Sequence, residues 1–152
     1  MILSWGKCGI ETTPVADGAP AANAEWTAID TPKKDTTKLT PTAGEEVKAQ
    51  EEGGETVDAR YGKTTYTFEF DLFVKKGKEP PFEDNDGLID GEHAFRVTPL
   101  EDEKCQGILI DRSVVRCEQS YSTADGILLH YVAACLKPKT GKTVKKYIKE
   151  QA

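Results

Sequence analysis

Two histidines, His93 and His130, and four cysteines, Cys8, Cys105, Cys117 and Cys135, are the residues of this 152-residue chain best suited to acid–base, nucleophilic or metal chemistry. A catalytic triad would need one of the histidines to meet a Ser or Cys in space. His130 alternates with Leu128 and Val132 inside an apolar run, the setting of a structural histidine whose ring needs a hydrogen-bond partner if buried. His93 follows a glycine-containing loop and is expected at the surface. The cysteines are widely scattered with no C-x-x-C pair, so the spacing of a tetrahedral metal site is absent and they read as small buried or half-buried thiols. A hairpin would bring Cys117 and Cys135 opposite each other, but spacing does not supply their separation, and no disulfide is predicted.

Three further patterns invite a chemical reading and fail it on register. Asp84-Asn85-Asp86-Gly87 has carboxylates at alternate positions before glycine, like a calcium loop. Aligning Gly87 with the loop glycine, however, puts Phe82 at the first ligand position and His93 where the bidentate Glu belongs. Gly141-Lys142-Thr143 echoes a phosphate loop, yet Leu136 stands where its first glycine is required. Glu45, Glu46, Glu51, Glu52 and Glu55 lie beside glycines and read as hydrated side chains with no metal to hold. No catalytic residue, metal or cofactor is expected.

The elements that must position these residues are strands. In Thr65-Tyr66-Thr67-Phe68-Glu69-Phe70-Asp71-Leu72-Phe73-Val74, Tyr66, Phe68, Phe70, Leu72 and Val74 fall on one face, while Thr65, Thr67, Glu69 and Asp71 fall on the other. Side chains along a strand repeat with period two, so this run predicts one face on the core and one wet, acidic face. Residues 127–136 are apolar on both faces, which predicts a strand covered on both sides, by a second sheet or another subunit. A helix competes there on length alone, and the Asp125-Gly126 turn before it and Pro138 after it favour the strand.

Between these lie weaker signals. Residues 10–44 are rich in Thr, Pro, Ala and Gly, and only Glu25-Trp26-Thr27-Ala28-Ile29 has strand character, so much of this region reads as extended arm or loop, with residues 1–25 as the arm. Polar segments on either side of Glu52-Gly53-Gly54-Glu55 predict a protruding hairpin or long loop within residues 40–60, because paired glycines supply positive φ. Pro80-Pro81 ends the alternating strand, and a short helical turn is predicted around Asp86 to Ile89. His93-Ala94-Phe95-Arg96-Val97-Thr98 resumes strand character. Residues 107–121 form another strand, whose apolar phase slips between Ile110 and Val115 and predicts a bulge near Asp111 to Ser113. Val144, Tyr147 and Ile148 equip the tail, residues 143–152, to dock as a short helix or strand.

Length fits one domain able to bury a core without disulfides or metal. A formal net charge of −6 argues against a phosphate-binding surface, whose affinity comes mainly from Lys and Arg. The first residues lack a basic segment followed by an apolar one, and no run approaches the length of a membrane span, so folding in the cytoplasm is expected.

The order of Gly44-Glu45-Glu46-Val47-Lys48-Ala49-Gln50-Glu51-Glu52-Gly53-Gly54-Glu55, the alternating strand ending Phe73-Val74-Lys75-Lys76-Gly77, the strand Phe95-Arg96-Val97-Thr98-Pro99, and the closing Leu136-Lys137-Pro138-Lys139-Thr140-Gly141-Lys142 resembles major tail tube proteins of long-tailed bacteriophages. The similarity runs from about Trp26 to Tyr147, and at the level of fold extends to tube subunits of contractile tails and of the type VI secretion system. The resemblance implies a mainly β fold, a two-sheet antiparallel sandwich or barrel with one short flanking helix, assembling into hexameric rings. It further implies that rings stack into a hollow virion tail tube, with tape-measure and tail-end proteins as partners and DNA passing through the lumen without specific binding. On this reading Thr65, Thr67, Glu69 and Asp71 face the lumen. Glu45, Glu46, Glu51, Glu52, Gly53, Gly54 and Glu55 belong to the loop that reaches the neighbouring ring, with the N-terminal arm as the other candidate for that contact. Six copies would carry a formal charge of roughly −36 per ring, which repels phosphate. Lys63, Lys75, Lys76, Lys78 and the C-terminal lysines run against that charge; lining the lumen, they would reverse the argument. The competing reading is a monomeric β-sandwich binding or adhesion module, with Trp5 and Trp26 as its ligand-contacting aromatics.

Overall fold

The computed structural model describes Leu3, residues 5–101 and residues 104–148. The chain forms ten strands: β1 (Cys8–Val15), β2 (Thr27–Ile29), β3 (Lys38–Thr42), β4 (Glu46–Gln50), β5 (Thr56–Tyr61), β6 (Thr65–Phe73), β7 (Leu88–Pro99), β8 (Gly107–Ser122), β9 (Gly126–Cys135) and β10 (Val144–Tyr147). Eight of them make one antiparallel sheet in the order β2-β1-β7-β8-β9-β6-β3, with β10 also paired to β8, and β4 pairs with β5 as a separate hairpin.

In place of two separate packed sheets, the body is one eight-stranded sheet folded over on itself, which brings β6 against β7. The long β8 belongs to both halves, because its residues Gly107 to Ile110 pair with β10 and its residues Ser113 to Ser122 pair with β9. The join carries the predicted irregularity. His93 pairs with Ser113 and Phe95 with Ile110, so β8 has one more residue than β7 across Asp111 and Arg112. A bulge of this kind bends a strand and sharpens its twist, which lets the halves face each other.

What holds them together is aromatic packing from β6. Phe68 and Phe70 approach Phe95 on β7 at ring-centroid distances of 5.5 and 6.1 Å, although two strands separate β6 from β7 in the sheet. Phe70 also meets Tyr131 at 5.3 Å, and Phe82 caps the cluster against Phe95 and Tyr131. Ile10, Ile110, Val115, Leu129 and Ala133 complete the core. Tilted and edge-on rings at these separations add about 0.5–1.5 kcal/mol per pair beyond the area they bury.

Several expectations need correction. There is no helix among the described residues. At the position predicted for a helical turn, Asp86 and Gly87 take φ of 55° and 90°, and Asn85 and Leu88 exchange backbone hydrogen bonds of 2.9 and 3.1 Å. Two successive positive φ values make a two-residue hairpin turn, and Asp-Gly is the dipeptide that best tolerates them.

The extended-arm reading of residues 1–25 is also replaced in part. Cys8 to Val15 pairs with β7 along its whole length and with β2 on its other side. Its threonines disguise it, since Thr12 is buried but its Oγ1 donates to the Ala94 carbonyl at 2.9 Å, satisfying the hydroxyl. Residues 38–42, within the segment read as loop, form β3 along the edge of β6. The tail docks as strand β10; residues 149–152 of the predicted segment lie outside the described residues. All four cysteines are free, and register places Cys117 opposite Tyr131 and Cys135 opposite Ser113. His93 is half-buried, its ring on Phe82 at 4.8 Å and its Nε2 3.1 Å from the Asp90 carbonyl; burial is the main cause that lowers its pKa.

Candidate functional site

The wet face of β6 lies on the outside of the folded sheet. Phe68, Phe70 and Leu72 are buried, while Thr65, Thr67, Glu69 and Asp71 alternate with them toward solvent. Register sets their neighbours. Glu69 stands between Lys38 of β3 and Val132 of β9, Asp71 lies opposite His130, and Thr67 lies between Thr40 and Ala134. On the far side of β9, His130 faces Glu118 and Val132 faces Arg116 of β8.

These carboxylates are engaged. The side chains of Glu69 and Asp71 retain 20% and 17% of their exposure. Glu69 pairs with Lys38 at 3.4 Å and lies 3.7 Å from His130 Nε2, while His130 Nδ1 is in hydrogen-bond contact with Asp71 Oδ1. Arg116 pairs with Glu118 on the same face. The face is therefore a mixed ladder in which Lys38 and Arg116 accompany three carboxylates. The backbone of Asp71 is fixed as well, its carbonyl accepting from Lys33 N–H at 2.8 Å and its N–H donating to Thr36 Oγ1 at 3.2 Å. His130 is half-buried on this outer surface, and the expected second cover over β9 is partial: Val132 is buried, while Ala134 on the same face is exposed.

Sequence reading found the acidic row but missed Lys38, His130, Arg116 and Glu118 as its companions. The alternation of His130 with Leu128 and Val132 was the available signal, and it acquires meaning only once β9 is known to lie beside β6.

The second feature is the β4–β5 hairpin, in which every residue is exposed. Gly53 and Gly54 form its tip with φ of 96° and 90°, and Glu51 N–H donates to the Glu55 carbonyl at 2.8 Å. Val47, Val57 and Tyr61 lie uncovered along it. At its base Gly44 and Gly62 cross so closely that a Cβ on Gly44 would collide with the Gly62 carbonyl. Glu45, Glu46, Glu51, Glu52 and Glu55 all belong to this projection. Its strands pair only with each other, whereas Glu69 and Asp71 pair with β3 and β9, so the two groups of residues singled out from the sequence sit on separate sheets.

Two grooves open on the body. One, of about 630 Å³, lies between β2 and the segment after β6 and is lined by Ile29, Leu72, Val74, Pro80 and Pro81. At its lip Asp30 bonds Lys75 and Lys78, and the Lys75 hydrogen bond leads the causes that hold its pKa down to about 2. The other, of about 600 Å³, has Cys8, Leu39, Phe68, Val97 and Ile108 at its floor and Trp5 with several lysines around it. Of the two tryptophans, Trp5 is 68% exposed, whereas Trp26 stacks on the Arg96 guanidinium at 4.4 Å, which is itself held by Glu11 at 2.9 and 3.1 Å. Among the described residues no group of three or more metal-binding side chains comes together. Asp84 Oδ1, in the motif that suggested calcium, accepts from Gly87 N–H at 2.6 Å within its own turn.

In comparisons with known proteins, no family model and no curated sequence matches the chain.

Proposed function

We propose that this chain is a structural subunit of a phage tail tube, forming hexameric rings that stack into a hollow conduit for DNA, with no reaction catalysed. The observation that carries the reading is the hairpin of residues 46–61. An isolated two-stranded hairpin is marginal in water, and every strand residue of this one is exposed, Val47, Val57 and Tyr61 included. A neighbouring copy is what such an element is built to meet.

Two other features support it. The sheet ends in open edges at β2 and β3, which a ring of copies would close and thereby remove as sites of uncontrolled pairing. Thr65, Thr67, Glu69 and Asp71 lie on a solvent-facing sheet surface of the kind that could line a bore, with Lys38 and Arg116 moderating its charge. The net charge of −6 then acts over the whole ring, keeping phosphate from adhering without a specific binding site. Tape-measure and tail-end proteins are the expected partners.

Negative-stain imaging and sedimentation of the purified chain test this directly. Rings or hollow filaments are expected; a strictly monomeric species at every concentration and salt would remove the reading. A monomeric binding module remains the second reading because Trp5 stands exposed at a groove, and it would be supported by ligand binding that Trp5→Ala abolishes.

A further inference from the structure

The geometry points to the lysine-rimmed groove at Trp5, Lys7 and Lys34 as the receptor for the β4–β5 hairpin of a second copy. This deepens the tube reading and rests on it, adding a specific acceptor. Charge is the first argument. Residues 44–62 carry Glu45, Glu46, Glu51, Glu52, Glu55 and Asp58 against Lys48 and Arg60, a net charge of −4. The groove gathers Lys7, Lys33, Lys34 and Lys38 against Asp35 in its lining and Glu101 at its Gly6 lip, a net +2 on a chain whose total is −6. Lys33 and Lys38 have partners in Asp125 and Glu69, whereas Lys7 and Lys34 make no ion pair among the described residues. Glu101 lies against Gly6 at one lip, next to Lys7 in sequence, and the other three lysines belong to the segment from Lys33 to Lys38.

Surface chemistry is the second. The groove floor is apolar, with Leu39, Phe68, Val97 and Ile108, and the hairpin brings uncovered valines and a tyrosine beside its glutamates. An acidic tip with apolar flanks suits an apolar floor with a basic rim. Gly53 and Gly54 have nothing within 4 Å of a notional Cβ, so the tip is free to enter by its backbone.

Position is the third. Lys38 and Leu39, in the groove, begin β3, and Thr42 ends it beside Thr65, where the chain departs into the hairpin. At about 3.3 Å per residue the two ends of β3 lie ~13 Å apart along one strand, and the hairpin extends from the far end. No residue of the hairpin lines the groove and its Gly53-Gly54 tip meets nothing, so donor and acceptor do not satisfy each other within one molecule. Between copies they give a heterologous contact that repeats from one copy to the next, as stacking requires.

Charge exchange tests it on the full chain, read by sedimentation velocity and imaging, with circular dichroism to verify folding. Glu51→Lys/Glu52→Lys/Glu55→Lys, and separately Lys7→Glu/Lys34→Glu, are each expected to raise the concentration needed for association by about tenfold or more, because like charges then oppose across the contact. Combining both sets in one chain restores complementarity and is expected to recover association. A hairpin variant that associates like the parent, or a combined variant that fails to recover, overturns the groove as receptor while leaving the tube reading intact. A parent chain that never associates overturns the tube reading itself.

Discussion

Asp71 and His130 face each other across the β6–β9 ladder on the solvent side of the sheet, the His130 Nδ1 in hydrogen-bond contact with the Asp71 carboxylate. The pair lies in the register between β6, which carries Phe68 and Phe70 of the core, and β9, which carries Leu129 and Tyr131, and a one-residue slip would send Phe68 and Phe70 to the outside. Both side chains keep some solvent contact, so a coupling of about 1 kcal/mol is expected. A double-mutant cycle with Asp71→Asn and His130→Gln in urea denaturation measures it, and strict additivity would show the contact to be energetically idle.

Tyr131 presents the opposite case. Its ring is fully buried between Phe70 and Phe82, and among the described residues its hydroxyl finds no well-formed hydrogen bond, with only the weakly accepting Cys117 thiol beside it. A buried hydroxyl left unpaired costs about 1–3 kcal/mol in desolvation. Tyr131→Phe removes that cost and keeps the ring, so it is expected to leave stability unchanged or raise it by up to about 1 kcal/mol. A loss of more than that in the denaturation midpoint would mean that the hydroxyl is bonded in solution, with Cys117 opposite it as the nearest candidate.

How much of this was legible in the sequence depends on how local each signal was. The burial of Phe68, Phe70 and Leu72 follows from strict alternation within nine residues, and the bulge at Asp111 and Arg112 announced itself as a slip in apolar phase. β1 was invisible because Gly9, Thr12, Thr13 and Pro14 resemble a loop until Ala94 is present to accept the Thr12 hydroxyl. For the candidate site, the acidic row was readable but its partners were not. Lys38, His130 and Arg116 join it through pairings between distant segments, and no local pattern encodes which strand lies beside which.

The buried thiols make stability fall in alkali. Burial leads the causes that push Cys117 up to about 11, with the Asp84 charge adding to it, and burial likewise takes Cys135 to about 11 from 9.0. In the unfolded chain both thiols ionise near 9.0, while in the folded protein they hold their protons to higher pH. Their contribution is therefore complete below about pH 9 and is lost as pH rises toward about 11. A tenfold difference in proton affinity between the two states is worth about 1.4 kcal/mol, so the loss reaches about 2–3 kcal/mol per thiol. Urea denaturation from neutral to strongly alkaline pH should show this decline, and Cys117→Ala/Cys135→Ala, though less stable at neutral pH, should show a flatter one. Equal slopes for both proteins would contradict the assignment.

The hairpin should separate folding from assembly. Residues 46–61 are all exposed, and Gly62 N–H already donates to the Glu45 carbonyl at 2.8 Å across the hairpin base. Deleting residues 46–61 therefore joins Glu45 to Gly62 where the two chains already meet, leaving a short turn between β3 and β6. Because no residue of the hairpin belongs to the core cluster, the melting temperature is expected to change by no more than a few degrees. Gly44→Ala is a finer version of the same test: its methyl would collide with the Gly62 backbone, so the hairpin must shift its seat while the body keeps its packing. Both variants should stay folded and lose association in sedimentation. Should the deleted chain still build filaments, the projection is dispensable and the contact between copies lies elsewhere on the sheet.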